Sequence, residues 1–435
     1  MKAFTEPLLS LAGFEEMTKT AEKSSGLISV TGCIDAQKSQ MIYAFGGHRK
    51  NKLIVTFGEQ KAKELYDEYS FFDKEVVYYP SKDVLFYQSD IRGNLLTAER
   101  IRALKAIREQ ERVSLVTTFD ALMNTMAPIE KMWENVLTLE QGQLLDLKEI
   151  QAALIRMGYE KEYQVQTMGQ FSVRGGILDV FPLTEENPIR IELWGDEIDT
   201  IRYFDCESQK SIENTDRVSI YPAAELVLSD EEKAGGIEKL KAEAKRVSDK
   251  LRKQMKTEEA HRVTVMADEL TEEWGELSMY AGMDAFLSYF FDERVGLLDY
   301  FNPSDSLIFF DELTRCAEQG KLTETEFSES MKQRLAMGYI LPGQMNGLFT
   351  EKEIVAKLEK YSCIALGALD NKANGLHQLG SYGIHCQSVS PYNNSFELLI
   401  KDLKRYKKNG YRVILLSGSR TRAKRLSEDI TDQGI

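Results

Sequence analysis

Between Gly26 and about Leu139, short β-rich runs alternate with helix-like segments, and this rhythm constrains the fold more than any other feature of the chain. The runs at residues 27–31, 53–57, 76–79 and 113–118 are rich in β-branched, aliphatic and aromatic residues. A strand that is apolar on both faces has to be covered on both. The runs therefore predict parallel strands linked by crossover helices, with helical patterns at 60–69 and 97–109. This is an architecture of nucleotide-binding type, although a fold by itself assigns no function.

Near Gln141 the pattern changes. An amphipathic helix is predicted over 144–157, followed by strands at 164–167, 170–173, 176–181, 189–194 and 197–204, with Gly, Pro or Asp marking the turns. After Pro222 the chain turns helical and charged to about Trp274, then returns to α/β character at Leu307-Ile308-Phe309-Phe310. The economical organisation is a discontinuous parallel-sheet domain, 1–140 and 228–385, interrupted by an α+β insert over 141–227. Residues 386–435 then start a further α/β domain, with helices at 395–408 and after Ser419 and a strand at 411–416. A lone strand cannot bury both faces, so it must join another sheet or belong to a domain that the chain leaves unfinished. Three domains suit 435 residues.

The net charge of −14 argues against a generic nucleic-acid coat. It conceals a basic stripe at 401–425, where Asp402 is the one acid among ten Lys and Arg residues. That stripe is suited to weak contact with nucleic acid or an acidic surface, and equally to being the solvated faces of two helices. The five scattered cysteines form no C-x-x-C pair, so neither a disulfide framework nor a zinc site is indicated and a reducing cytoplasm is expected. No stretch reaches the ~18 uninterrupted apolar residues of a membrane span.

Residues 32–39, Gly-Cys-Ile-Asp-Ala-Gln-Lys-Ser, follow a predicted strand and match the phosphate loop G-x-x-x-x-G-K-[ST] except at Gln37. A glycine there lets backbone N–H groups turn toward phosphate, whereas Gln37 adds a Cβ, and Asp35 adds a repelling carboxylate. Gly32, Gln37, Lys38 and Ser39 are thus expected to form a relic site. Asp311 and Glu312, at the end of the apolar run 307–310, would supply its Mg²⁺ ligand and water-activating acid. No metal site and no catalytic residue is expected to function in this segment.

Two long motifs carry the most specific signal. They are Phe171-Ser172-Val173-Arg174-Gly175-Gly176-Ile177-Leu178-Asp179-Val180-Phe181-Pro182 and Arg190-Ile191-Glu192-Leu193-Trp194-Gly195-Asp196-Glu197. With the flanks Tyr78-Tyr79-Pro80, Gln88-Ser89-Asp90, Glu99-Arg100 and residues 117–123, they resemble the inserted domain of the bacterial excision-repair protein UvrB. More closely, they resemble the UvrB-like N-terminal module of the transcription-repair coupling factors (Mfd). The resemblance runs over roughly residues 20–380, and the tail is similar to the start of the next coupling-factor domain.

It implies a degenerate RecA/UvrB-like parallel-sheet domain without ATPase activity, and an insert that docks UvrA, the damage-recognition ATPase. Ser172 in place of an Arg usual in UvrB and Gln37 in place of glycine both point toward the coupling factors. The stretch 71–88, with Tyr78, Tyr79, Phe86 and Tyr87, is too short for UvrB's DNA-gripping hairpin. By motif position the UvrA contacts are Arg174, Arg190 and Trp194. Period-two alternation puts Arg190, Glu192 and Trp194 on one strand face, while the plain alternative buries Trp194 and pairs Arg190 with Asp196 or Glu197. The resemblance also implies a further domain that binds RNA polymerase and two motor domains that translocate on double-stranded DNA with ATP and Mg²⁺, and the motor is expected to be absent from these 435 residues. The loop at Gly418 lacks the G-K-[ST] ending. The alternative reading is a UvrB-type, ATP-dependent, helicase-like protein that binds damaged DNA.

Overall fold

The structure is a computed structural model that describes residues 2–11, 13–45, 49–82, 93–276, 282–369 and 375–435. The first four strands are β1 (Gly26–Thr31), β2 (Asn51–Thr56), β3 (Val77–Tyr79) and β4 (Ser114–Thr118), with helices Asp35–Ala44, Glu59–Tyr69 and Gly93–Glu109 between them. The chain then leaves this domain for the insert. There it forms β5 (Leu137–Glu140), helix Leu147–Arg156, β6 (Glu160–Lys161), β7 (Gln170–Arg174), β8 (Ile177–Val180), β9 (Ile189–Trp194), β10 (Glu197–Phe204), β11 (Ser211–Thr215) and β12 (Arg217–Ile220). On returning it builds two long helices packed on each other, Asp230–Lys253 and Thr257–Glu276, and then β13 (Ser306–Asp311), β14 (Ser362–Gly367) and β15 (Gln378–Gly383).

Seven strands in the order β15-β1-β14-β13-β2-β4-β3 make one parallel sheet. Period-two alternation divides their side chains between two cores. Leu27, Leu53, Val55, Ile308, Phe310 and Cys363 pack into one. Ile28, Val30, Ile54, Phe309 and Ile364 pack into the other. Burial on both faces is why these strands read as unbroken apolar runs. Strands β13 and β14 come from the far side of the insert yet lie in the middle of the sheet, so the parallel-sheet domain is discontinuous, as expected.

The insert has a six-stranded sheet, β11-β10-β9-β8-β7-β6, antiparallel except for β6 with β7. One face buries Phe171, Leu178, Val180, Ile189, Ile191 and Ile201 with Leu154 and Met157 from the helical segment. A polar row crosses the other, where the register sets Ser172 opposite Asp179, Asp179 opposite Arg190, Arg190 opposite Arg202 and Arg202 opposite Asn214.

Several expectations need correction. Strand β5 pairs with β12, Leu139 opposite Val218, so 137–140 goes with the insert rather than with residues 1–136. This ribbon holds the insert's entry and exit side by side, as insertion into another domain requires. Residues 164–167 form no strand, because the Gln170 side chain accepts from the N–H groups of Gln166 and Thr167 at 2.9 and 3.1 Å and bends that backbone. Strand β11 escaped prediction because its residues are nearly all exposed and polar.

Residues 386–435 form a separate compact unit. It contains helices Phe396–Lys408 and Arg420–Asp432, capped by the hydroxyls of Ser395 and Ser419. The strand expected at 411–416 is absent: the segment is exposed and pairs with no other strand among the described residues. No helix among the described residues is long and apolar enough to cross a membrane. Tyr78 and Tyr79 are buried on β3, and Phe86, Tyr87 and Gln88-Ser89-Asp90 lie outside the described residues.

Candidate functional sites

The first site lies at the ends of β1 and β13. Gly32 takes φ 82° where a Cβ would meet the Ile384 carbonyl oxygen at 2.0 Å, so glycine is required to leave the strand here. The N–H groups of Gly32 and Cys33 donate to the carbonyls of Ala368 and Gly367 at 3.3 and 3.1 Å. Helix Asp35–Ala44 has already begun at Asp35. Three residues therefore separate strand from helix, and the N–H groups of Gly32 and Cys33 are spent on neighbouring carbonyls rather than aimed at a ligand.

Lys38 is buried, with its ammonium 2.9 Å from Asp35, 2.5 Å from Asp311 and 3.0 Å from Glu312. Burial works against that charge, but Asp311, Asp35 and Glu312 outweigh it and hold the lysine pKa above its ordinary value. The hydrogen bond from Lys38 holds Asp35 below the usual carboxylate range despite partial burial, and Lys61 adds to the effect. Thr56 donates to Asp311 at 3.4 Å, and Ser39 donates to Glu68 at 3.4 Å. Glu312 sits at φ 59°, a left-handed conformation, with its carboxylate accepting from the Ala368 N–H. The Gln37 Oε1 is buried without a hydrogen-bond partner.

The structure thus brings together Gly32, Gln37, Lys38, Ser39, Asp311 and Glu312, but as a closed ion cluster. A phosphate approaching it would meet three carboxylates already gathered on Lys38, with Lys61 committed to Asp35 at 3.1 Å, which is a poor fit. The coupling of Lys38 to Asp311 was not legible in the sequence, although Asp35 was a warning. Among the described residues no three His, Cys, Asp or Glu side chains are arranged to hold a metal ion.

The second site is the polar face of the insert's sheet. Arg190 donates through Nε and one Nη to the two oxygens of Asp179 at 2.7 and 2.8 Å, and to Gln209 at 2.9 Å, while its guanidinium lies 4.4 Å from the Phe204 ring centroid. The hydrogen bond to Asp179 holds the arginine pKa above its ordinary value, against the effect of burial. Arg174 reaches the same carboxylate at 3.1 Å but keeps 37% of its side chain exposed. Asp179 is 2% exposed at its side chain, so two arginines share one sequestered anion.

Trp194 is 84% exposed at the end of β9. Glu192, between Arg190 and Trp194 on the same face, is paired with Arg202. Arg190, Glu192 and Trp194 do share a face, but Arg190 is held by Asp179 rather than by Asp196 or Glu197, and Trp194 is not core. Asp179 was the residue that sequence reasoning missed. The signal was an acid inside the first motif, two residues past Ile177, facing the arginine that opens the second.

A sheet face with two arginines on a buried acid and a protruding indole has the features of a docking module. Residues 137–226 match the family model of the UvrB interaction domain. Beyond that segment, the chain is 27% identical to the transcription-repair-coupling factor of Bacillus subtilis (strain 168) over 88% of its length, covering 32% of that protein. The coupling factor of Staphylococcus haemolyticus (strain JCSC1435) is 25% identical over 94% of the chain and 34% of its own length, and that of Staphylococcus aureus (strain MRSA252) is 25% identical over 97% and 35%. The chain spans about a third of the length of these curated relatives. The resemblance carried by the motifs therefore extends along nearly the whole chain.

Proposed function

We propose that the chain serves transcription-coupled nucleotide excision repair as a docking segment, which recruits UvrA through the polar sheet face of its insert and hydrolyses no nucleotide itself. The observation that carries this reading is the coincidence of the UvrB interaction domain match, 137–226, with the one sheet that presents Arg174, Arg190 and Trp194 together. Arg and Trp dominate protein interfaces because they combine large contact area with directional or planar recognition. The ion cluster around Lys38 supports a site that takes neither ATP nor Mg²⁺, and so counts against the alternative of a UvrB-type ATPase. Contacts to RNA polymerase and double-stranded DNA are assigned to parts of the relatives beyond this segment, and weak nucleic-acid contact to 401–425.

Purified UvrA and the 435-residue chain, measured by biolayer interferometry, test the proposal. Trp194→Ala and Arg174→Ala alter exposed side chains and should each weaken binding by tenfold or more while leaving the circular dichroism spectrum unchanged. Parent-like affinity in both variants refutes the assigned face.

A further inference from the structure

We infer that the insert seats a cationic side chain of its protein partner, an arginine or lysine on an exposed segment, in an acidic cleft beside Trp194. The inference rests on the docking reading above and adds the chemistry of what is docked. The cleft, about 740 Å³, opens between the tip of the β9–β10 hairpin and the β5–β12 ribbon, and is lined by Glu140, Trp194, Glu197, Asp199, Asp216 and Arg217. Arg217 pairs with Glu140 at 3.3 Å. Glu197, Asp199 and Asp216 are exposed and have no ion-pair partner among the described residues. Three uncompensated carboxylates therefore face one opening.

The apolar part of the surface is ordered by the same strands. Trp194 stands opposite Glu197 across the hairpin, and Leu144 bridges Glu197 on its other side. Directly opposed residues of a sheet share a face, so Trp194, Glu197 and Leu144 form a row of apolar, acid, apolar. The two flanking side chains are 84% and 74% exposed.

This row is held in place by backbone hydrogen bonds. Gly142 N–H donates to the Ile198 carbonyl at 2.8 Å, Ile198 N–H to Gln143 at 2.9 Å and Leu145 N–H to Asp196 at 2.7 Å, while Gly195 at φ 64° closes the hairpin. An exposed indole on a fixed backbone loses little freedom on binding, which is the usual property of an interface anchor.

A guanidinium or ammonium satisfies both halves of this surface. It stacks on an indole face by cation–π attraction and donates charge-assisted hydrogen bonds to the carboxylates around it. Nucleic acid does not fit, because its phosphates would meet uncompensated negative charge where the aromatic ring is offered. The cleft is continuous with the face proposed to dock, since Trp194 follows Arg190 and Glu192 at two-residue spacing on β9.

Two measurements on the full chain test this. In the first, tryptophan emission is followed during titration with tetra-arginine or tetraglutamate peptide. Trp274 is buried and Trp133 half-buried, so the red edge of the emission belongs to Trp194. Tetra-arginine should produce a saturable change that disappears in Trp194→Phe and falls at least fivefold in affinity in the triple variant Glu197→Gln, Asp199→Asn, Asp216→Asn, and tetraglutamate should produce none. An equal response from the triple variant, or no response from the parent, overturns the inference.

In the second, the triple variant should bind purified UvrA at least tenfold more weakly than the parent and with a shallower dependence on salt. If the parent binds UvrA and the triple variant binds equally well, the cleft is wrong and the docking reading stands. If the parent ignores UvrA while the tetra-arginine response is as expected, the docking reading falls and the cationic site stands. An electrophoretic shift of DNA that Trp194→Ala abolishes would also overturn the inference.

Discussion

Arg100 and Glu225 meet sealed from water, with the guanidinium Nε 2.7 Å and one Nη 3.0 Å from the two carboxylate oxygens. Arg100 also donates to the Pro80 carbonyl at 2.6 Å and stacks 4.0 Å from the Tyr79 ring centroid, while Lys82 reaches Glu225 at 2.9 Å. Glu225 follows the last strand of the insert, and the other residues belong to the parallel-sheet domain. The pair therefore fastens the insert's exit to the domain that it interrupts. Removing one partner strands a buried charge, so Arg100→Met should cost about 3 to 5 kcal/mol in urea unfolding. Arg100→Met combined with Glu225→Met should recover much of that loss, whereas additive losses would deny the coupling.

The same pair sets an acid dependence. Burial favours the neutral acid, but Arg100 and Lys82 overcome it and bring the Glu225 pKa down to about 2, from an ordinary 4.5. A depressed carboxylate stabilises the fold fully above its unfolded pKa and loses that contribution as pH falls through the folded one. The stability from Glu225 should thus be complete above pH 4.5 and decline between there and pH 2. Glu225→Gln should flatten this part of the stability profile, and an unchanged slope would contradict it.

Lys52 behaves in the opposite sense. It lies buried on β2, its ammonium 3.1 Å from the Tyr69 hydroxyl and 3.3 Å from the Tyr43 carbonyl oxygen. Burial, partly offset by Asp73 and reinforced by Arg112, brings its pKa down from 10.5 to about 8. Between those values the unfolded chain holds more protons, so stability rises with pH, and below pH 8 the fold carries the whole cost of charging the buried amine. Lys52→Met should stabilise the protein by roughly 2 kcal/mol at pH 7, an advantage that shrinks toward pH 10.5. Equal gains at both pH values would contradict the titration.

What was legible in the sequence follows from what each residue faces. The parallel sheet could be read because burial on both faces makes β1, β2 and β13 largely apolar runs, whereas β14 was not predicted, β11 is a polar edge and β5 offers only Leu137 and Leu139 to the core. That Trp194 shares a face with Arg190 follows from strand period, whereas its exposure does not. Asp179 under Arg190 does not, since it depends on the register between β8 and β9. The closed cluster of Lys38 with Asp311 and Glu312 was hidden for the same reason, because β13 meets β1 only through the intervening β14.

Restoring the missing glycine should not restore nucleotide binding. Helix Asp35–Ala44 already contains the position of Gln37, and Lys38 is committed to three carboxylates. Isothermal titration with ATP and Mg²⁺ should show no heat of binding up to millimolar concentration for the parent or for Gln37→Gly. Micromolar affinity in either would mean that the ion cluster opens readily.

Asp179 gives the sharpest separation between holding a docking surface and touching a partner. Its carboxylate is too sequestered to meet another protein, yet it orders Arg190 bidentately and Arg174 through one bond. Asp179→Asn keeps the shape but removes the anion and turns one acceptor into a donor facing two guanidinium groups, an unfavourable contact worth about 1 to 3 kcal/mol in stability. UvrA affinity should fall at least as far as in Arg174→Ala, although the substituted atom is internal. Arg190→Lys should resemble Arg190→Ala rather than the parent, because an ammonium cannot reproduce the two-point contact with Asp179 and the stacking on Phe204. If Asp179→Asn loses stability but binds UvrA like the parent, the two arginines act without needing to be positioned, and the docking energy resides in Trp194 and its surroundings.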